Sequence, residues 1–344
     1  MMSNVGATES LLPVLRRETG LPDLGFAGDP VPLTGGFWAE LLSFRLANAP
    51  EGWDGPLVAR IMPDPDVAAK ETAFQTEIAG QGYPTPTVHA AGGPDDGIAG
   101  RAFLVMGLAA GRPMLAGLDG VAAIARVPSL ARRLPKLLAG VLADLHRLDP
   151  ARVERALDAA GIVQPRQARM VESLRETAAA LGRADLANAA AWLQANAPAD
   201  GPTVLCHGDL HPFNVLVDDA GAVTVLDWSA ALLAPATYDL GFTSLVLAEP
   251  PLLVPTRVRP AIRSAGRWLS RRFLRAYERA AGVAVAPAAL RWQQGLVCLR
   301  ALVEVADWVT AGTIDERGGH PWVIAGDAFA DRLTQLTGAP ITPR

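Results

Sequence analysis

The stretch that decides the reading is Leu205 to Trp228, LCHGDLHPFNVLVDDAGAVTVLDW. It places Asp209, Asn214 and Asp227 around two short runs of Val and Leu. The alternation predicts a loop, then a strand at Val215 to Val217, a turn at DDAG, and a returning strand at Val223 to Leu226. Asp218 and Asp219 then serve the turn. In such a hairpin Asp209 and Asn214 lie at one end, and Asp227 comes back to that same end. Three oxygen-bearing side chains are therefore expected at one rim. Carboxylate and amide oxygens suit a hard divalent cation such as Mg²⁺. Asp209 would remain available to orient or deprotonate a hydroxyl.

Working outward, the chain has 344 residues, half of them hydrophobic, which allows one large domain or two moderate ones. The formal net charge is −4, without the basic excess of a general nucleic-acid binder. Cys206 and Cys298 are the only cysteines, so a disulfide framework and a four-cysteine zinc site are excluded. The expected setting is a reducing cytoplasm, with no signal peptide at the N-terminus and no apolar run able to span a membrane. Of the 31 basic residues only Lys70 and Lys136 are lysine. A function that normally calls on lysine has few candidates.

Residues 1–20 read as a helix. From Val31 to Val105 the pattern is that of a small mixed α/β region. LTGGFWAELLSFRLA offers a Gly-Gly turn and a strand, and GPLVARIMP is a strand stopped by Pro63. DVAAKETAFQTEIAGQG is helical, with apolar residues three and four apart and glycines at its end. YPTPTVHAAG and RAFLVMGL are two further strands. After GRPM the pattern turns helical. Pro135 is expected at a helix start or kink, two helices follow within Arg169 to Pro198, and helices dominate again from Pro260 to Val309.

The central stretch resembles the signature of aminoglycoside phosphotransferase-like kinases, the small-molecule branch of the protein-kinase-like fold. His207, Gly208, Asp209, His211, Pro212, Asn214, Asp227 and Trp228 carry the resemblance. TYDLGF (Thr237 to Phe242) resembles the family's following segment, and VLADLHRLDP its helix before the catalytic loop. The resemblance spans about Val31 to Val309. It implies an α+β, bilobal kinase-like fold, with a small β-rich nucleotide-binding lobe over residues 1–108 and a larger, mainly helical catalytic lobe over 109–344.

The resemblance also implies roles. Asp209 would accept or orient the acceptor hydroxyl, while Asn214 and Asp227 would hold Mg²⁺. Thr34, Gly35 and Gly36 match the phosphate-covering loop, where glycine permits close backbone approach. LVMGLAAGRPM looks like the hinge, which puts Met106 and Leu108 beside the nucleotide. Arg60 stands where most kinases have lysine; it keeps the charge and can clamp phosphate bidentately. Glu71 matches the acid that pairs with this cation, with Glu77 as the competitor. Lys70 falls on the helix, where it points about 100° away from Glu71.

Other residues have plainer expected uses. His207 fixes the loop from within the core, and Asp239 caps a helix or bonds the catalytic-loop backbone. His207, Asp209 and His211 also form an H-x-D-x-H pattern, yet no further histidine cluster accompanies it and it leaves Asn214 and Asp227 unexplained. The expected activity is transfer of the γ-phosphoryl group of ATP to a hydroxyl of a small molecule, in a monomer or homodimer, with no nucleic-acid or membrane partner. Protein substrates fit less well, because Asp239 follows Asp227 closely and no A-P-E segment comes after it. The Arg- and Trp-rich C-terminal helices suggest a neutral or anionic, partly apolar acceptor. The rival from another class is a nucleotide-binding pseudokinase, and Arg60 in place of lysine is the feature that favours it.

Overall fold

The computed structural model describes residues 4–33, 39–115, 120–164, 166–199 and 201–343. In chain order it forms α1 (Asn4–Thr19), β1 (Gly25–Phe26), β2 (Val31–Leu33), β3 (Glu40–Phe44), β4 (Leu46–Ala47), β5 (Leu57–Met62), α2 (Pro65–Ala79), β6 (Val88–Gly92), β7 (Ala102–Gly107) and β8 (Arg112–Pro113). Then come α3 (Gly120–Leu145), α4 (Pro150–Ala159), α5 (Gln167–Ala180), α6 (Ala184–Ala195), β9 (Thr203–Cys206), β10 (Val215–Val217), β11 (Val223–Val225), β12 (Leu232–Pro235), α7 (Thr237–Ala248), α8 (Arg259–Ala281), α9 (Pro287–Thr310) and α10 (Pro321–Thr337). The chain divides into two compact units. The first takes Met1–Ala116, Asp149–Val163 and Phe213–Ala231; the second takes Gly117–Leu148, Gln164–Pro212 and Leu232–Arg344.

The first unit is built on an antiparallel sheet in the order β2-β3-β5-β7-β6. Its central strand, LVARIM, is buried along its whole length, so both faces need cover. Leu57, Ala59 and Ile61 face one way and pack with Leu11, Leu15, Phe44 and Phe103, which seats α1 on that face. Val58, Arg60 and Met62 alternate to the other face, where Met62 packs with Ala68 of α2. Helix α2 starts at a built cap: the Asp64 carboxylate accepts from the N–H groups of Asp66 and Val67, and Pro65 opens the first turn. Its buried residues are Ala68, Glu71, Phe74, Gln75 and Ile78, the three-and-four spacing of a core stripe. An acid therefore sits on the core face beneath β5.

The second unit is mainly helical. Helix α9 is buried almost all round from Trp292 to Trp308, and its Leu299 and Leu302 pack with Leu193 of α6, Phe242 of α7 and Phe329 of α10. A two-stranded ribbon, β9 with β12, pairs Cys206 with Leu232 and Thr203 with Pro235. The sequence reading put Leu205 and Cys206 in a loop; the strand they belong to pairs with a segment beyond the hairpin, out of reach of local alternation. Pro135 neither starts nor ends a helix, since α3 continues through it from Gly120 to Leu145. Helices α4 and α10 were not anticipated as elements, and α7 only through the alternative that Asp239 caps a helix; yet Asp149 followed by Pro150 is a legible helix start, and the Asp149 carboxylate does accept from the Ala151 N–H. Among the described residues no helix is long and apolar enough to cross a membrane.

Candidate active site

In the first unit the hairpin forms as read. Val215 pairs with Val225 and Val217 with Val223, and the Asp218 carboxylate closes the turn by accepting from the Ala222 N–H at 2.8 Å. The returning strand ends at Val225, one residue short of expectation. The Leu226 N–H donates to the Asn214 carbonyl at 2.9 Å, so Asn214 and Asp227 come together at one end of the hairpin. Val225 N–H donates to the Pro84 carbonyl. The Trp228 indole N–H donates to the Thr85 hydroxyl at 2.8 Å, with the ring edge-on to Tyr83. A fully buried Trp thus fixes the hairpin end.

Asp227 has φ +66°, the left-handed region that non-glycine residues seldom enter. Aspartate tolerates it because its short side chain can bond its own backbone two residues on. Here Asp227 Oδ1 accepts from the Ser229 N–H at 3.3 Å and from the Ser229 hydroxyl at 2.6 Å. The same oxygen accepts from Arg60 Nη2 at 3.1 Å. On its other side Arg60 Nε lies 3.3 Å from Glu71 Oε2, out of hydrogen-bonding alignment. One guanidinium is held between two carboxylates.

Glu71 is the more deeply buried of the two acids. Burial raises its pKa to about 7, against the pull of Arg60 and the Trp228 N–H, with Asp227 adding repulsion. The ion pair and the raised pKa agree physically: a misaligned contact offsets only part of the desolvation. The pairing of Arg60 with Glu71 rather than Glu77 was legible. Glu77 pairs instead with Arg152 of α4 at 3.3 Å. The link from Arg60 to Asp227 was not foreseen. Gln75, on the same stripe as Glu71, donates to the Pro86 carbonyl and to Met106 Sδ. Met106 lies one residue before the end of β7, paired with Val58, and the Leu108 N–H donates to the Pro56 carbonyl just beyond the strand. Thr34, Gly35 and Gly36 lie outside the described residues.

Asp209 belongs to the second unit. Its N–H donates to His207 Nδ1 at 3.3 Å, and its Oδ2 lies 3.8 Å from His211 Nε2. His207 is fully buried and serves the loop, as expected. Gly208, at φ +79°, makes the bend. The buried Asp239 carboxylate at the start of α7 accepts from the His207 N–H at 2.9 Å and the Gly208 N–H at 2.7 Å. Thr243, one turn on, donates its hydroxyl to the Leu210 carbonyl. Helix α7 therefore grips the loop on both sides of Asp209.

Asp239 is itself backed by His146 Nε2 at 3.1 Å, and His146 Nδ1 lies 2.7 Å from the Tyr277 hydroxyl. A neutral ring protonated at Nε2 satisfies both contacts. Sequence reasoning singled out neither His146 nor Tyr277. His146, Cys206 and Asp239 also have potential ligand atoms within 4.8 Å of one another. The carboxylate is already committed to two backbone N–H groups and the imidazole. Burial holds the Cys206 thiol well above its ordinary pKa, so the thiolate a metal needs is disfavoured. The cluster is a brace.

At the hairpin end the donor chemistry is different. Asp227 keeps a third of its side chain exposed (33%) and stands beside an amide oxygen bearer, Asn214. Hard oxygen donors at an open strand end fit Mg²⁺.

The profile of the phosphotransferase enzyme family (APH) matches residues 49–293, and the chain belongs to that family. No curated protein matches the sequence. Among solved structures, a Ralstonia eutropha JMP134 protein, provisionally called an aminoglycoside phosphotransferase, superposes with TM-score 0.64 at 18% identity, over 95% of this chain and 98% of that one. Macrolide 2'-phosphotransferase MphH of Brachybacterium faecium gives 0.55 at 22% identity, over 94% and 98%. A thermostable mutant of aminoglycoside phosphotransferase APH(4)-Ia, solved with ADP and hygromycin B, gives 0.61 at 17% identity, over 96% and 99%. These likenesses establish the fold: an N-terminal antiparallel sheet and a helical C-terminal part of the kinase-like type.

Proposed function

We propose that the chain is an ATP- and Mg²⁺-dependent kinase that moves the γ-phosphoryl group to a hydroxyl of a small molecule. The observation that carries this is the Arg60 guanidinium held between Glu71 and Asp227 with Asn214 alongside. Kinase-type transfer requires a strand-borne cation paired with a helical acid, together with a metal-binding acid. Residues 1–108 would grip the nucleotide and residues 109–344 supply catalysis and the acceptor site. Thr34, Gly35 and Gly36 would cover the phosphates, Arg60 pair with them, and Met106 and Leu108 flank the base. Asn214 and Asp227 would hold Mg²⁺, which neutralises phosphate charge when bound. Asp209, on its braced loop, would orient the acceptor hydroxyl and take its proton.

The nucleotide has a parallel in the APH(4)-Ia complex with ADP and hygromycin B. The acceptor here is a neutral or anionic, partly apolar hydroxyl compound, given the Arg- and Trp-rich C-terminal helices. A second reading, a nucleotide-binding pseudokinase, is favoured by Arg60 already engaging Asp227.

The test is acceptor-stimulated ADP release across a panel of hydroxylated metabolites and antibiotics, with Mg²⁺ and with EDTA. Asp209→Asn should lower turnover by roughly 10²–10⁴-fold while nucleotide affinity stays within a few-fold. Asp227→Ala should lose Mg²⁺-dependent ATP binding. Nucleotide binding with no ADP release on any acceptor would favour the pseudokinase. Near-normal turnover in Asp209→Asn would remove Asp209 from the chemistry.

A further inference from the structure

In the second unit an open cavity of about 540 Å³ is lined by the start of α8 and by α10. On α8, Arg259, Arg263 and Arg267 recur every fourth residue and share one face. On α10, Asp327 and Asp331 do the same. The rotation of α8 is fixed nearby: a Cβ on Gly266 would lie 2.5 Å from the Leu247 carbonyl oxygen and 2.7 Å from that of Ala248. Backbone therefore meets backbone at the end of α7, and only glycine permits that approach. Next to this contact Arg263 Nε pairs with Glu249 Oε2 at 3.0 Å.

That pair leaves two positive and two negative residues lining the cavity. Arg259 and Arg267 belong to one helix, Asp327 and Asp331 to the other. Among the described residues none of the four has an ion-pair partner within 4.0 Å. Like charges one turn apart on a helix repel, and here both helices carry such a repeat facing the same space. The adjoining groove is mixed, with Leu252, Ile262, Ile324 and Ala328 lining it beside charged side chains that include Glu249 and Arg263. Arg259, Arg267, Asp327 and Asp331 are all solvent-exposed, and groups of both signs line one open space.

We propose that this cleft binds a small zwitterion with an apolar body. Its ammonium group meets Asp327 and Asp331, its carboxylate or phosphate meets Arg259 and Arg267, and its apolar part lies over Ile262 and Ile324. The cavity is of the size that takes small organic ligands. Ammonium–carboxylate and guanidinium–oxyanion contacts are charge-assisted, and opposite signs on separate helices select for both ends at once. The inference does not rest on phosphoryl transfer.

The test uses the full chain without nucleotide, titrated by calorimetry with 6-aminohexanoate and 8-aminooctanoate, and with octanoate and octylamine as single-charge controls. None of these carries a hydroxyl, so the outcome is independent of kinase activity. At least one amino acid should bind about ten-fold or more tighter than either control, the gain expected from one added charge-assisted contact. Arg267→Gln should reduce that ligand to the affinity of octylamine, and Asp331→Asn to that of octanoate. Arg259→Gln, at the other end of the same face, repeats the first test should Arg267→Gln unfold. If neither amino acid outbinds both controls, or octanoate binds as tightly as the better one, the proposal is overturned.

Discussion

Arg60 is the cation that β5 buries, and its two partners differ in kind. Glu71 is almost wholly enclosed, whereas Asp227 is partly open. Because burial lifts Glu71 from 4.5 to about 7, the folded state binds its proton more tightly than the unfolded chain does. The stabilisation is thus complete below pH 4.5 and is lost as pH rises through about 7. The span is on the order of 3 kcal/mol. In EDTA, urea unfolding of the wild type should show lower stability at pH 8 than at pH 5, and Glu71→Gln should flatten that slope. A slope unchanged in Glu71→Gln would mean another group carries it. Arg60→Ala should weaken ATP binding or turnover and Lys70→Ala should do little, because Lys70 lies off the buried stripe of α2. The reverse result would shift the register of the grip.

At the level of elements, the loop around Asp209 is held by α7. Asp239→Asn keeps the shape but replaces one acceptor by a donor facing the His207 and Gly208 N–H groups. It should cost about 1–3 kcal/mol in thermal unfolding and lower turnover as the loop loosens. Tyr277→Phe, which removes only the hydroxyl beside His146, should cost about 1 kcal/mol. Equal stability of Asp239→Asn and wild type would show the brace to be idle. The same elements show how much could be read without coordinates. The hairpin, α2, α8, α9 and the strands LVARIM and AFLVMG follow local alternation or three-and-four spacing, so they were legible. The ribbon of β9 with β12 was not, because Cys206 meets Leu232 across an intervening hairpin. Asn214 and Asp227 could be put at one end because a hairpin returns its chain. His146, Asp239 and Tyr277 come from three distant helices, and no spacing rule joins them. Nor does one join Arg60 to Asp227, 167 residues apart.

For the molecule as a whole, each unit is assembled from three separate chain segments. The hairpin that completes the first unit is made after more than two hundred residues. It brings Trp228 onto Tyr83 and Thr85, and Asp227 onto Arg60. A fragment ending at Ala116 would expose that seat and leave Arg60 with Glu71 alone. Such a fragment should show no cooperative transition by circular dichroism, whereas the full chain should melt cooperatively. A sharp transition in the fragment would mean that the sheet, α1 and α2 suffice.

Both thiols are sealed in the second unit, Cys206 ahead of the Asp209 loop and Cys298 in the middle of α9. Burial holds each well above its ordinary pKa, so neither offers a reactive thiolate in the native state. The chain thereby carries its own chemical stopwatch. A thiol-reactive dye should stay colourless on the native protein and register only the rate at which this unit opens. A single cysteine placed on the surface could be labelled selectively with both natural ones left in place.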